Sequence, residues 1–287
     1  MRDNLPATQD GFFALPDHRI LVLEGPDAVR FAHAQFMSDV AGLADGHWQW
    51  SGWLTPKGRV VALFALLRFD SRSLWLLLPD ADPTGLREEL QRFVFRSKVS
   101  LAVRSDLQVA GGFTQPSFAS GARLSNDGHV ELDVGTPELP RTLRIADALD
   151  ASGGGAVMRW KARDLRHGLP RLDASQAGEW TPQQLSLERL QAFSVRKGCY
   201  PGQEIVARTH FLGQAKRGLV LLEAESDVAS GTEIVDAGRA IGTIVSSVAC
   251  EGSSLALAVL PLDADLTHLK ATDRALVPSP LLDGLAR

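Results

Sequence analysis

From residue 215 onward the chain changes character. Three apolar runs, GLVLLEAE, TEIVDAGRAIGTIVSSV and LALAVLPL, follow one another with turn signals at Asp236-Ala237-Gly238 and Glu251-Gly252-Ser253 between them. Closely spaced runs of this kind have no room for helical crossovers and bury their side chains only as antiparallel strands, so they predict a small carboxy-terminal barrel or sandwich.

Upstream the pattern is mixed. Residues 20–23 read as a short strand, and Pro26 and Asp27 then open a helix with Val29, Ala32 and Phe36 on one face. Residues 60–67 and 74–78 read as paired strands, followed by a helix carrying Leu86, Leu90, Phe93 and Val94. A flexible joint, Ser152-Gly153-Gly154-Gly155, divides this region. Beyond it, residues 160–167 read as a short helix stopped by Gly168 and Pro170. Thr181, Pro182 and Gln184 then spell a capped helix start, with Trp180 placed to staple onto Leu185 and with Leu190 and Phe193 inward. The expected class is α+β. The expected division is 1–214, a body of interleaved elements, and 215–287, a small β-barrel domain.

Composition narrows the function classes. A 287-residue chain with 45% hydrophobic residues builds a substantial core, and a net charge of −4 gives no overall attraction to nucleic acid or anionic membrane. The amino terminus lacks a basic segment followed by an apolar one, and no run of 18 apolar residues occurs, so the expectation is a cytoplasmic protein with no membrane partner. Two cysteines, Cys199 and Cys250, are too few for a disulfide framework or for the four thiolates of a typical cluster site, so any cluster chemistry involves another protein. Seven scattered histidines show no metal spacing, and no tightly held metal is expected. Phosphate-loop, dinucleotide, zinc-protease and nucleophile-elbow signatures are absent from the sequence.

The residues richest in chemistry surround Cys199. It lies between Gly198 and Gly202, after Arg196 and Lys197 and before Tyr200, Pro201, Gln203 and Glu204. Two glycines permit a sharply folded backbone, and neighbouring cations facing the sulfur would favour its thiolate. Glu204 either neutralises Lys197 or accepts hydrogen bonds from the loop amides. Cys250, at the end of an apolar strand, reads as a structural thiol.

KGCYPGQEIVART followed by FLGQAKR resembles the signature of the YgfZ-type proteins, relatives of the glycine cleavage T-protein. Lys197, Gly198, Cys199, Tyr200, Gly202, Gln203, Glu204, Ala207, Arg208, Gly213, Lys216 and Arg217 match it. GPDAVRFAHAQFMSDV, LTPKGRV and the stretch from RHGLPRLD to WTPQQL also resemble that family in order and spacing. The resemblance implies two intertwined subdomains plus a carboxy-terminal barrel around a central hole. It implies binding of tetrahydrofolate or a derivative, and service to iron-sulfur proteins or their assembly machinery, with indirect effects on tRNA modification. It makes Cys199 the functional thiol.

A folate site needs flat aromatic walls, polar groups for the pterin edge and cations for the glutamate carboxylates. By family register Trp160 is the candidate wall, and His18 stands where relatives carry an aromatic residue near the folate. Where T-proteins show RLEAG this chain shows DLRHG, which puts Arg166 in place of a folate-facing carboxylate and argues against aminomethyl transfer. A tetrahydrofolate-dependent aminomethyltransferase, or another one-carbon transferase, is the alternative reading, and a pure scaffold the third. Arg87, Arg92, Arg96, Lys98 and Arg104 read as a solvated helix face; nothing in them specifies RNA, and no direct nucleic-acid binding is expected.

Overall fold

The computed structural model describes residues 11–149, 151, 156–211, 213, 215–250 and 252–287, so the glycine joint at 152–155 lies outside the described residues. In chain order, β1 (Phe13–Ala14) and β2 (Arg19–Glu24) lead to α1 (Ala28–Gln35), β3 (His47–Leu54), β4 (Val60–Arg68), β5 (Ser73–Leu78) and α2 (Pro83–Gln91). There follow β6 (Ser100–Val103), β7 (Gln108–Gly112), β8 (Ser125–Asp127), β9 (His129–Asp133), β10 (Thr142–Ala146) and α3 (Ala156–Arg166). A 3-10 turn at Leu187–Leu190 precedes α4 (Gln203–Phe211). The remaining strands are β11 (Arg217–Ala224), β12 (Glu233–Asp236), β13 (Arg239–Cys250), β14 (Ser253–Pro261), β15 (Lys270–Ala271) and β16 (Arg274–Ser279).

The strands form two five-stranded sheets, ordered β3-β4-β5-β2-β6 and β1-β7-β10-β9-β8, and a closed six-stranded barrel. The two sheets interleave along the chain: β1 joins β7 in the second sheet before β2 enters the first, where it lies between β5 and β6. The α+β body with a terminal β-barrel expected from the sequence is the observed architecture.

Strand β2 shows why the first sheet is central. All four of its inner residues are buried, with Ile20 and Val22 in one apolar cluster and Leu21 and Leu23 in another, so both faces are covered. Helices α1 and α2 cover the second cluster through Phe31, Ala32, Leu86 and Leu90. The first cluster runs through the second sheet and α3 to Leu255, Leu257 and Val259 of β14, whose alternate residues Ala256, Ala258 and Leu260 fill the barrel. A continuous apolar strand thus serves two cores at once, because successive side chains point to opposite faces.

Several local expectations change. In α1 the buried stripe is Ala28, Phe31 and Ala32, while Val29 is half-buried and Phe36 sits just past the helix in extended backbone. Helix α2 is capped by Asp82, which accepts from the amides of Thr84 and Gly85, and it ends at Gln91, leaving Phe93 in a turn and 48% exposed. The capping box at Thr181 forms, with Thr181 N–H donating to Gln184 Oε1 at 3.0 Å, but Ser186 and Gln191 take left-handed backbone and reduce the expected helix to turns and one short 3-10 segment.

Beyond the barrel, the last residues return to the body. The Trp50 indole N–H donates to the carbonyl of Leu285 at 2.8 Å, and Arg287 donates to the carbonyls of Asp133 and Gly135.

Candidate functional site

The Cys199 loop is built against the β3–β4 hairpin and the end of α1. Gly202 has φ +79°, and a Cβ there would stand 2.6 Å from both the Thr55 oxygen and the Gly58 Cα, so only glycine fits. At its partner Gly58, with φ +71°, an added Cβ would stand 3.0 Å from the Ile205 side chain. The LTPKG turn and the GQE segment therefore press backbone to backbone. Gly202 accepts from the amides of Ile205 and Val206 and so starts α4 inside the motif. Gly198, by contrast, has nothing within 4 Å of a built Cβ and no positive φ, so it is not sterically required.

Lys197 works as an anchor rather than as a partner of the thiol. Its side chain is buried, and Nζ donates to the backbone carbonyls of His33, Phe36 and Ser38, the last at 3.0 Å. Three ammonium protons meet three acceptors at the carboxyl end of α1, where the helix dipole favours a cation. Burial pushes its pKa down to about 8, with Asp39 opposing that shift. The same Nζ lies 4.7 Å from the centre of the Tyr200 ring. Tyr200 donates to the carbonyl of Ser194 at 3.1 Å, and burial pushes its pKa up to about 12. Gln203 Nε2 closes the loop on the carbonyl of Lys197 at 3.0 Å.

Cys199 is exposed on this framework. The expected uses of Glu204 do not occur: it pairs with Arg208 one helical turn on, at 2.8 Å, and both side chains are solvent-exposed. The motif thus divides into a buried half that fixes the backbone (Lys197, Tyr200, Gly202, Gln203) and an outer half carrying the thiol.

Trp160 and His18 belong to a second locality, centred on Arg141. Trp160 is 2% exposed, packed by Phe13 at 5.8 Å and Phe113 at 6.0 Å between ring centres, with the Arg141 guanidinium 4.8 Å from its own. Phe113 is the more accessible ring of this cluster, and the guanidiniums of Arg159 and Arg163 lie 4.3 and 4.4 Å from its centre. His18 is buried in a narrow crevice with Asp17, Lys161 and Arg171. Burial first, then Arg171, Lys161, Arg141 and Arg19, hold its pKa well below the ordinary value. Arg166 points elsewhere, 3.9 Å from Glu223 on β11.

Sequence reasoning missed the ion network beneath this cluster. Arg141 donates to Asp164 at 2.6 Å, Asp164 accepts from Arg171 at 3.1 Å, and Arg171 reaches Asp80 at 2.8 Å and the carbonyl of Pro79 at 2.9 Å. Burial opposes the charge of Arg171, but Asp80 and Asp164 outweigh it and hold its pKa above the ordinary value. The network ties the end of β5, the start of β10 and α3 into one unit. Its sequence signals were Asp164 within DLRHG and Arg171 within RHGLPRLD. His167, also missed, donates through Nδ1 to the carbonyl of Asp283, and burial pushes its pKa down to about 4, with Arg141 adding to the effect.

Among the described residues no group of three or more His, Cys, Asp or Glu side chains is placed to hold a metal ion, and no helix is long and apolar enough to cross a membrane. No family model matches the chain. It is 31% identical to an uncharacterized protein of Haemophilus influenzae, over 88% of this chain and 90% of that one. It is 29% identical to the tRNA-modifying protein YgfZ of Klebsiella pneumoniae, over 89% of this chain and 85% of the relative. It is likewise 29% identical to the protein of that name from Aliivibrio fischeri, over 88% and 85%. Its fold is similar to that of the glycine cleavage system aminomethyltransferase T from Bartonella henselae, with a TM-score of 0.72 over 94% of this chain and 84% of that one, at 15% identity. With the cysteine motif, the interleaved sheets and the closing barrel all in place, the chain belongs to the YgfZ-type family of proteins that share the glycine cleavage T-protein fold.

Proposed function

We propose that this protein is a tetrahydrofolate-binding accessory factor of the cytoplasm that helps build or maintain iron-sulfur proteins, with Cys199 as its working thiol. The observation that carries the reading is the exposure of Cys199 on a loop whose backbone is fixed by Lys197, Tyr200 and Gly202. A thiol displayed on a rigid support suits transient contact with another protein's reacting centre, whereas a structural cysteine is ordinarily buried. The relatives from Klebsiella and Aliivibrio are called tRNA-modifying proteins, and a tie to tRNA modification is carried over from them; its passage through an iron-sulfur enzyme is part of the proposal.

The residues around Arg141 fit a folate in kind. Arg141 Nε, His167 Nε2 and His18 Nδ1 are buried with no hydrogen-bond partner among the described residues, a costly arrangement that a polar ring edge would relieve. Phe113 supplies a flat face, with Arg159 and Arg163 suited to the glutamate carboxylates, and Trp160 backs it. Bound tetrahydrofolate would supply one-carbon or redox chemistry. The crevice at His18 is closed to a bicyclic ring as it stands, so His18 and Trp160 form the floor of this reading and Phe113 its contact face.

Anaerobic calorimetric titration with tetrahydrofolate tests it. Phe113→Ala should weaken binding about tenfold, the loss of roughly one aromatic contact. Cys199→Ala should bind as wild type yet fail to restore iron-sulfur enzyme activity in cells lacking the native factor. Absence of binding by wild type removes the folate role, and full rescue by Cys199→Ala removes the thiol.

The fold likeness to an aminomethyltransferase favours a second reading, folate-dependent one-carbon transfer. Arg166 pairs toward Glu223 where that chemistry would use a carboxylate, which ranks it second. Turnover of an aminomethylated carrier protein would reverse the order.

A further inference from the structure

The turn after α2, residues 92–98, reads Arg-Phe-Val-Phe-Arg-Ser-Lys and places two aromatic rings in solvent, Phe95 at 87% and Phe93 at 48% exposure. Phe93 is held by packing, and Phe95 projects beside a cation. Phe93 packs edge-on against Trp53 with 6.1 Å between centres, and the Arg96 guanidinium lies 5.3 Å from the centre of the Phe95 ring. The turn is also pinned to the start of α1: the Lys98 amide donates to the Asp27 carboxylate at 2.7 Å, and the Asp27 amide returns a bond to the Lys98 carbonyl.

Position gives this turn its meaning. It grips the amino end of α1, while Lys197 of the cysteine loop grips the carboxyl end of the same helix. Eight residues of α-helix span about 12 Å. Arg30 and Ala34 are exposed along α1 between the two. An ordinary protein interface of about 800 Å² per partner is wider than that span. The turn and the cysteine loop thus hold opposite ends of one helix.

We infer that the Phe93–Phe95 turn is the docking surface for a protein partner that offers an apolar pocket with an acidic rim. Aromatic anchors beside arginine are the residue types that dominate binding energy at such contacts. Charge selects the partner class. Arg87, Arg92 and Arg30 are already paired with Glu88, Glu89 and Asp27, at 3.6, 3.0 and 3.2 Å. Arg96 and Lys98 have no carboxylate partner among the described residues and are the cations available to a visitor. Two such cations beside exposed Glu88 and Glu89, on a chain of net charge −4, match a few carboxylates on a pocket rim and not a run of phosphates, which needs several uncompensated cations.

The proposal deepens the accessory-factor reading by naming the face the partner uses, and its test separates the two. The photoreactive amino acid p-benzoylphenylalanine is placed at position 95 of the full-length chain in cells; the captured protein is identified, purified and titrated onto the purified wild-type chain and its variants. Phe93→Ser with Phe95→Ser should weaken binding at least tenfold, and Arg96→Glu with Lys98→Glu should weaken it in a salt-dependent way. Leu262→Ser, at an exposed residue of the barrel side, should leave binding unchanged. Cooperative thermal unfolding of all three variants well above the assay temperature shows that they are folded; absence of tetrahydrofolate binding by wild type would sink the folate role and leave this inference standing. Capture of RNA, capture of a second copy of this chain, capture of nothing, or an affinity indifferent to the Phe93 and Phe95 changes would overturn it.

Discussion

Gly202 and Gly58 stand backbone to backbone, so close that a methyl group on Gly202 would lie 2.6 Å from the Cα of Gly58. The cysteine loop consequently has no freedom to slide along the β3–β4 hairpin. Gly202→Ala meets both this clash and a left-handed backbone at φ +79°, and should cost at least about 2 kcal/mol in denaturant unfolding. Gly198→Ala, in open space four residues earlier, should cost under about 0.5 kcal/mol. Equal effects at the two glycines would refute this division of labour.

Lys197→Met keeps the length of the side chain but leaves three carbonyls at the end of α1 without their donor. The expected loss is about 2–3 kcal/mol, from unmet buried acceptors. Hydrogen exchange should speed up in residues 194–203 and at the end of α1 together, because one ammonium joins them. Protection lost from only one of the two segments would contradict the anchoring role.

Acid should weaken the fold through His167. Its folded pKa of about 4 lies below the ordinary 6.5, so the unfolded chain binds a proton more readily between those values. The stability it contributes is fully present above pH 6.5 and is lost as pH falls toward 4, by about 3 kcal/mol in all. His18 acts in the same direction. His167→Asn retains a donor for the Asp283 carbonyl and cannot titrate; the plot of stability against pH should flatten by about 1.4 kcal/mol per pH unit within that window. An unchanged slope would show that His167 does not carry this term.

Trp160 and Phe113 should separate packing from binding. Trp160→Ala empties a fully buried site and should destabilise by about 3–5 kcal/mol, which makes its effect on ligand hard to read. Phe113→Ala, at a half-buried ring, should cost less stability and more tetrahydrofolate affinity. Thermal unfolding beside calorimetry on both variants checks the contrast, and a Phe113 variant that binds normally would move the contact face elsewhere.

Much of this was readable from residues. The barrel runs, the cap at Thr181 and the stop at Gly168 are local signals, and they hold because they need only neighbours within a turn or two. The second sheet was not legible. Its strands are short, and the three residues of β8, Ser-Asn-Asp, contain no apolar side chain, so pairing with β9 and not hydrophobicity defines them. Strand β3 was lost for another reason, since its tryptophans face two different cores. In the cysteine motif, sequence adjacency misled: Lys197 is two residues from the thiol, yet its long side chain is taken up by a helix more than 150 positions earlier. Helix α4 was hidden because Val206 is the one residue it buries deeply.

The return of the final residues to the body has a mechanical consequence. The barrel joins the body through the chain entering β11, through the apolar cluster shared by α3 and β14, and again through Leu285 and Arg287, which bind at Trp50 and Asp133. A lobe tethered at one end swings on its hinge, while a lobe moored at both ends resists swinging. Together with the apolar cluster that α3 shares with β14, this mooring holds the barrel against the body, and severing the Trp50–Leu285 bond should loosen the far end of the barrel without releasing it.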